Sequence, residues 1–319
     1  VPCASERFFF PKITLNTLST IKNSIKNVDI VHIMGHWSII NALAYIFCRY
    51  LKKHYVFCPA GTLIIHGRSK LFKHIYNLII GKSIIKNASA YIASTDDEVK
   101  VIYENGGINK KIELITNGVE SNSLPVFSDN SFREKYNLGK TPFLLFIGTL
   151  SSIKGPDLLL KAFKRIQHIF PSYHLVLAGK SRGMLKDLKK YVKTSDLEGK
   201  VHFIGFLDNI DKFHAYHAAD LLVVPSRSEV ISMVALEAGL TGTPVLITDK
   251  CGFNELSKIN GGVVVAATVE GIERGLINIF SDIDKLKLMG RNLRKYVIKN
   301  FIWETIINKY IRLFNQILK

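Results

Sequence analysis

Short runs of β-branched and aliphatic residues alternate with helical stretches along the whole chain, and this alternation constrains the fold more than any other feature. A strand–helix–strand order favours parallel sheets covered by helices on both faces. The pattern therefore predicts an α/β protein with a doubly wound parallel sheet in each half. Strands are predicted at 28–34, 55–58, 89–94, 111–115, 143–148, 173–179, 200–205, 220–225, 244–248 and 262–265.

A polar, turn-rich segment at 117–132 separates the first set of strands from the second and is interpreted as a linker. At 319 residues the chain is long enough for two domains with separate cores. We predict an N-terminal domain over 1–122, a linker over 123–141, a C-terminal domain over 142–300 and a closing helix over 301–319. The chain opens VPCASERFFFPK, with neither Met nor a Gly-rich first loop, so we expect the first domain to be incomplete.

Charge is the outlying property of the composition. Hydrophobic residues make up 47% and charged residues 22%, which is ordinary for a soluble protein, and the formal net charge is +17. This charge favours an anionic partner: a nucleotide, a lipid surface or nucleic acid. The lysines are scattered rather than interleaved with aromatic residues, which argues against nucleic acid. The four cysteines show no metal-binding spacing and are interpreted as reduced thiols of a cytoplasmic protein.

The segment 224–248, VPSRSEVISMVALEAGLTGTPVLIT, contains two carboxylates eight positions apart, Glu229 and Glu237. We predict a helix that begins near Ser228 or Glu229 and ends near Leu240. Both carboxylates would then lie on one face, about 12 Å apart along the axis. The first free amides of this helix would be those of Val230, Ile231 and Ser232. Such an arrangement suits an extended polyol with phosphates, such as a nucleotide-sugar, although a capping Ser and two unrelated Glu residues explain the pattern equally well.

Four predicted strands of the second half end on a conformational break, at Gly148, Gly179, Gly205 and Pro225. Ligands of open α/β sheets bind outside the carboxyl ends of the strands, where Gly permits close approach of the backbone. The carboxyl edge of the second sheet is therefore the candidate site. Gly and Pro also punctuate strand ends for purely structural reasons, and that alternative stays open.

Two segments resemble glycosyltransferase family 4: Gly148-Thr-Leu-Ser-Ser-Ile-Lys154-Gly155, and Glu229-x7-Glu237 followed by Gly-Thr-Pro-Val. Weaker similarities occur at Val-Asp-Ile-Val-His32, Asn117-Gly-Val, Ala-Ala-Asp220 and Phe301-Ile-Trp303. The resemblance implies the GT-B fold, in which two Rossmann-like domains face a cleft and the last helix crosses back to the first domain. It also implies a retaining transferase that needs neither a metal nor another cofactor.

The resemblance also implies a role for individual residues. Glu229 and Lys154 would be catalytic, with Glu229 on the sugar hydroxyls near the anomeric centre and Lys154 on the leaving diphosphate. Glu237 would bind the ribose hydroxyls. Other donor contacts would come from Gly148 and Thr149, from the amides of Val230, Ile231 and Ser232, and from Phe206 and Leu207 against the base.

The sequence departs from the family pattern at two positions. Many members carry Arg where this chain has Thr149, so Lys154 would be the one cation of that motif on the diphosphate. Many also carry His where this chain has Ala60, which puts the donor contacts of the first domain in doubt. His32 and His36 lie at the end of the first predicted strand and are possible substitutes, or else structural residues.

Residues 69–80, SKLFKHIYNLII, form a basic amphipathic stretch. A helix there would carry Lys70, Lys73, His74 and Asn77 on one face and Leu71, Phe72, Ile75, Leu78 and Ile79 on the other. Its apolar face would pack on the sheet and leave a solvated basic face, or the helix would bind an anionic membrane.

We predict a glycosyltransferase that uses a UDP- or GDP-sugar and a surface-glycan or lipid-linked acceptor. It would act in the cytoplasm, peripherally on the inner face of the cell membrane. The alternatives are a binding or scaffold protein with a decayed site, suggested by Thr149 and Ala60, and a nucleotide-sugar epimerase or hydrolase of the same fold.

Overall fold

Each half of the chain forms its own parallel sheet in the computed structural model, which describes residues 13–63, 70–107, 110–121, 131–253 and 255–319. The chain divides into two compact units. Unit 1 comprises residues 1–116 and 307–319, and unit 2 comprises residues 117–306. These boundaries lie near 116 and 306, compared with the 122 and 300 expected from the sequence.

The sheet of unit 1 has the order β1-β2-β3-β4 within the described residues, and all its pairings are parallel. Its central strands are buried, as the apolar sequences HYVFC and AYIA predict. The elements are α1 (Leu15–Lys26), β1 (Ile30–Met34), α2 (Ile39–Tyr50), β2 (His54–Cys58), α3 (Lys70–Tyr76), a π-helical turn (Asn77–Gly81), α4 (Lys82–Lys86), β3 (Ala90–Ala93), α5 (Asp96–Glu104) and β4 (Ile112–Leu114).

The helical stretch over 70–86 does not pack its predicted apolar face on the sheet. Its packed side includes Tyr76, Ile84 and Ile85, which are buried against the sheet. Leu71, Leu78 and Ile79 are 75%, 81% and 74% exposed, so the expected packing of that apolar face on the sheet is wrong. A π-helical turn at Asn77–Gly81 shifts the side chains that follow it relative to a regular α-helix, but Leu71 lies before this turn, so the turn does not account for the whole exposed face.

The sheet of unit 2 has the order β10-β9-β8-β5-β6-β7 and is parallel throughout the described residues. This is the doubly wound order, with its topological switch point between β5 and β8. The elements are α6 (Ser131–Lys135), β5 (Phe143–Ile147), a 3₁₀ turn (Ser152–Lys154), α7 (Pro156–Ile166), β6 (His174–Ala178), α8 (Leu185–Thr194), β7 (Val201–Gly205), α9 (Asn209–Ala218), β8 (Leu221–Val224), α10 (Met233–Thr241), β9 (Val245–Thr248), α11 (Glu255–Lys258), β10 (Gly262–Val265), α12 (Val269–Phe280) and α13 (Ile283–Asn300). A last helix, α14 (Trp303–Leu318), contributes its residues from 307 onward to unit 1.

All ten predicted strands are present among the described residues, with ends that differ by no more than two positions. Two hydrophobic clusters cover the two faces of the unit 2 sheet, because its strands are apolar on both sides. The predicted linker contains a short helix, α6, which its polar sequence did not suggest. Phe132 anchors that helix because its ring is buried beside Phe143. Residues 122–130 of the polar segment lie outside the described residues.

No helix in the described part of the chain combines the length and the apolar character that crossing a membrane requires.

Candidate functional site

Loops from several strands of unit 2 meet at the carboxyl edge of its sheet, and glycines allow this close approach. A Cβ at Gly155 would lie 2.0 Å from the carbonyl oxygen of Pro225, and one at Gly179 would lie 1.8 Å from that of Gly148. Both glycines have positive φ, at +68° and +145°. The loops after β5, β6 and β8 are therefore in backbone contact, which a side chain at either position would prevent. This edge is where the sequence placed the site.

Lys154 and Glu229 are brought together at this edge from loops 75 positions apart in sequence. The Lys154 Nζ lies 2.8 Å from Glu229 Oε1, and the hydroxyl of Ser226 donates to the same oxygen. The Glu229 side chain is only 9% exposed, whereas that of Lys154 is 35% exposed. The carboxylate of Glu229 is thus largely buried, whereas the ammonium of Lys154 reaches the surface. This arrangement suits a ligand whose anionic group contacts Lys154 and whose hydroxyls contact Glu229.

A forked ion pair ties the two loops that carry this pair. The Arg227 guanidinium contacts both carboxylate oxygens of Asp157, at 2.9 and 2.7 Å, and donates to the Ser152 carbonyl. The Arg227 backbone amide also donates to the Ile153 carbonyl at 2.7 Å. Burial raises the pKa of the Asp157 carboxyl, but Arg227 outweighs it and holds that pKa below its ordinary value. The pairing of Arg227 with Asp157 was not predicted from the sequence. The two residues are 70 positions apart, and an Arg and an Asp at such a distance give no sign that they interact.

The helix of the Glu-x7-Glu segment begins later than the sequence indicated. Its first residue is Met233 and its N-cap is Ser232, so Glu229 lies in the preceding loop and the predicted common helical face for the two carboxylates is wrong. The reason is a tertiary contact: the Glu229 amide donates to the Lys250 carbonyl at 2.8 Å, which holds the loop in a non-helical path. The free amides of the helix start are those of Met233 and Val234 rather than those of Val230, Ile231 and Ser232.

Ser232 nevertheless stands out at this helix start. Its side chain is fully buried, and its Oγ has no hydrogen-bond partner among the described residues. Buried hydroxyls without a partner are uncommon in folded proteins. The positive end of the α10 dipole suits a phosphate or sugar oxygen, but a ligand would reach the enclosed Ser232 hydroxyl only after a local rearrangement.

Glu237 is inside α10, and both of its carboxylate oxygens are engaged by residues of α9. Lys212 Nζ lies 2.8 Å from Oε1, and the Tyr216 hydroxyl donates to Oε2 at 2.8 Å. Tyr216 is completely buried, and burial together with the neighbouring Glu237 charge raises its pKa well above the ordinary value. These two partners were missed from the sequence. A usable signal was that α9 and α10 flank the same strand, β8, and must therefore be neighbours.

Glu237 borders a pocket of about 520 Å³ formed entirely by residues of unit 2. Lys212 and Asn209 line it from α9, Met233 from the start of α10, Glu120 from the segment after β4, and Trp303 from the start of α14. The volume falls in the range of small-ligand sites, and the lining combines apolar walls with a few charged groups.

The remaining predicted donor contacts occupy varied positions. Gly148 and Thr149 are partly exposed in the loop after β5, at the edge described above. Phe206 is 65% exposed, and the Lys180 ammonium lies over one face of its ring, 4.6 Å from the ring centre. Leu207 is buried in the core, so only its backbone could meet a ligand.

The two histidines predicted as donor contacts, His32 and His36, are packed rather than exposed. His36 is 1% exposed, its Nε2 lies 2.7 Å from Asn77 Oδ1, and its ring contacts Trp37 and Tyr76. His32 lies 5.8 Å from the ring of Tyr310. Burial lowers the pKa of both imidazoles. This packing matches the structural interpretation of the two side chains.

Comparison with known proteins agrees with the fold and the motifs. Residues 128–296 match the model of the family Glycosyl transferases group 1. An uncharacterized glycosyltransferase from Methanocaldococcus jannaschii is 27% identical over 74% of this chain and 59% of its own length. The O-antigen biosynthesis glycosyltransferase WbnH of Escherichia coli is 32% identical over 75% of this chain and 66% of its own length. The chain thus spans about three fifths to two thirds of these relatives.

Solved structures show the same architecture. HepE of Anabaena in complex with UDP-glucose superposes with a TM-score of 0.80 at 19% identity, covering 96% of this chain and 85% of that one. The two parallel sheets are thus those of a GT-B protein, as the sequence predicted. With the family match over more than half its length, the chain belongs to the glycosyl transferases group 1 family.

Proposed function

We propose that the chain is a retaining glycosyltransferase that transfers a sugar from a UDP- or GDP-sugar to a surface-glycan or lipid-linked acceptor. The observation that carries this proposal is the meeting of Lys154, Glu229 and the start of α10 at one sheet edge, beside a pocket bordered by Glu237. The complex of HepE with UDP-glucose, a protein of the same fold, supports a nucleotide-sugar donor. The similarity to an O-antigen glycosyltransferase supports a surface-glycan acceptor.

Each group at this edge has a distinct task in the proposed reaction. Glu229 accepts hydrogen bonds from hydroxyls of the donor sugar, and Glu237 accepts hydrogen bonds from the ribose hydroxyls. Cleavage of the anomeric bond leaves a diphosphate with added negative charge, which Lys154 and the amides at the start of α10 stabilise. These groups supply the charge stabilisation that a metal provides in other transferases, so we propose a metal-independent reaction.

Glu237→Ala should weaken binding of nucleoside diphosphates at least about tenfold, because a carboxylate facing two ribose hydroxyls makes charge-assisted bonds worth roughly 1.5–3 kcal/mol each. Calorimetry with UDP, GDP, ADP and CDP measures this affinity and identifies the base. Glu270→Ala is a matched control, because Glu270 pairs with Arg165 on the surface of the same unit. Unchanged affinity in Glu237→Ala would remove the ribose assignment.

Transfer itself separates the proposed enzyme from its alternatives. Incubation of the protein with a radiolabelled nucleotide-sugar and an acceptor extract should yield a labelled glycan. A scaffold would give neither hydrolysis nor transfer, and an epimerase or hydrolase would convert the donor without any acceptor.

We also propose that the protein binds the inner face of the cell membrane through the 70–86 helical stretch. Leu71, Leu78 and Ile79 project into solvent, and Lys82 and Lys86 are exposed in the next helix. Exposed apolar side chains flanked by lysines suit the interface of an anionic bilayer, and the net charge of +17 adds long-range attraction. This location would bring the protein to lipid-linked acceptors.

Co-sedimentation should show binding to vesicles of phosphatidylglycerol and phosphatidylcholine, weakening as salt is raised, and little binding to phosphatidylcholine alone. Replacing Leu78 and Ile79 by Ser, or Lys82 and Lys86 by Ala, should reduce binding about tenfold. The Lys186→Ala, Lys190→Ala pair removes the same charge from exposed positions of α8 and should have a small effect. Equal binding to both lipids, or to neither, would exclude the membrane role.

A further inference from the structure

Glu237 is held from one side by two residues of the neighbouring helix. Lys212 and Tyr216 are four positions apart on α9, so both project toward α10. Lys212 contacts one carboxylate oxygen and Tyr216 the other, each at 2.8 Å. The carboxylate is thus fixed in rotation as well as in position, because a single partner would leave one oxygen free to turn.

The Glu237 carboxylate can still accept hydrogen bonds from a ligand. A carboxylate offers about four lone-pair sites, and Lys212 and Tyr216 occupy one on each oxygen. The Glu237 and Lys212 side chains are 18% and 19% exposed, and both border the pocket, whereas Tyr216 is buried behind them. One remaining site per oxygen matches a ligand with two adjacent hydroxyls.

Lys212 also balances charge in a site that is otherwise acidic. The charged residues that line the pocket are Glu120, Glu237 and Lys212. Without the ammonium, a mostly buried carboxylate would keep one neutral hydroxyl donor and no cation, which is an unfavourable environment for an ionised group. Tyr216 alone does not compensate, since a neutral donor stabilises charge less than an ammonium does.

We infer that Lys212 is a positioning residue for donor recognition: it fixes the ionised Glu237 carboxylate so that both of its oxygens accept the two hydroxyls of the ribose. This inference rests on the proposed function, in which Glu237 faces the ribose. Lys212 acts through Glu237, and its contribution is selective for the sugar of the nucleotide. Tyr216 completes the arrangement from the buried side.

The test compares ribose and dideoxyribose ligands. Calorimetry first identifies which of UDP, GDP, ADP and CDP binds the wild-type protein, and the 2′,3′-dideoxy form of that nucleotide is then measured. We expect the wild type to favour the ribonucleotide at least about tenfold. Lys212→Met should reduce this preference to about threefold or less and leave dideoxynucleotide affinity within about threefold, while Lys212→Arg should restore much of the preference, since it keeps the charge.

A matched control separates this role from general effects. Lys135 of α6 pairs with Asp211, the residue before Lys212, so Lys135→Met removes a more exposed lysine–carboxylate pair that involves the same helix, α9. It should leave the preference unchanged. Equal loss of both ligands in Lys212→Met, or no loss of either, would overturn the inference.

Glu237→Ala distinguishes failure of the inference from failure of the proposed function. Loss of the ribose preference in Glu237→Ala but not in Lys212→Met rejects the role of Lys212 alone. A preserved preference in Glu237→Ala, or no binding of any of the four nucleotides to the wild type, rejects the ribose assignment and the inference with it.

Discussion

Lys154→Met is expected to lower kcat by about two to three orders of magnitude while changing donor affinity by less than about fivefold. The substitution is expected to affect kcat more than affinity, because the diphosphate gains charge only as the anomeric bond breaks. Removal of one preorganised donor that stabilises such charge typically lowers kcat by about two to three orders of magnitude. Thr149 carries no charge, so this position of the motif adds no second cation beside Lys154. Initial rates over a range of donor concentrations, together with calorimetry of the unreacted donor, measure both quantities.

Two further variants show whether the loss of activity comes from losing the cation beside Glu229 or from losing any lysine. Lys154→Arg keeps a cation beside Glu229 and should retain more activity than Lys154→Met, although the geometry of a guanidinium differs from that of an ammonium. Lys164→Met removes an exposed lysine of α7, whose Nζ contacts the Ser195 carbonyl at 2.5 Å, and should leave kcat unchanged. A kcat/KM for Lys154→Met within twofold of the wild type would mean that another group stabilises the leaving diphosphate.

Gly252→Ala should both destabilise the protein and weaken donor binding at least about tenfold. Gly252 has φ of +61°, and a Cβ there would lie 1.6 Å from the Val230 carbonyl oxygen. The loop that carries Glu229 would have to move, since backbone cannot yield as a flexible side chain does. We expect unfolding to become easier by about 3 kcal/mol, the upper range for strain at a single residue. Urea unfolding and calorimetry test the two effects.

Gly139→Ala is the matched control for this prediction. Gly139 has a similar φ of +55°, but a Cβ there would meet no atom within 4 Å. Its cost should be only the backbone strain, about 1–2 kcal/mol, with donor affinity unchanged. Equal effects of the two substitutions on donor binding would show that the contact between Gly252 and Val230 does not position the loop.

The ten strands could be predicted because their signal is local. Runs such as FLLFI and YVFC are apolar on both sides, and a buried parallel strand requires this of its own sequence. The carboxyl edge followed from the same reasoning, since Gly148 and Gly179 end strands that the pattern had located. The resemblance of their motifs assigned Lys154 and Glu229 to one site, but the direct contact between the two side chains could not be derived from the sequence.

The errors have a different origin, because each depends on a contact between distant parts of the chain. The start of α10 was placed too early since Ser228 is a good capping residue, whereas the hydrogen bond from Glu229 to Lys250 decides the local path. The 70–86 stretch contains a π-helical turn whose Asn77 contacts His36, 41 positions away, and no local pattern indicates that contact. Likewise, Lys212 and Glu237 are distant in sequence, and neither residue alone indicates the pairing.

The fork between Arg227 and Asp157 limits how this chain can be recombined with its relatives. It joins the loop that carries Glu229 to the turn that carries Lys154, through four contacts that involve residues 152, 153 and 157. A chimaera that receives residues 225–232 from a homologue whose residue at position 227 is not Arg would leave Asp157 without its partner. The two segments are therefore one exchangeable module, and specificity swaps in this protein should transplant 148–157 and 225–232 together.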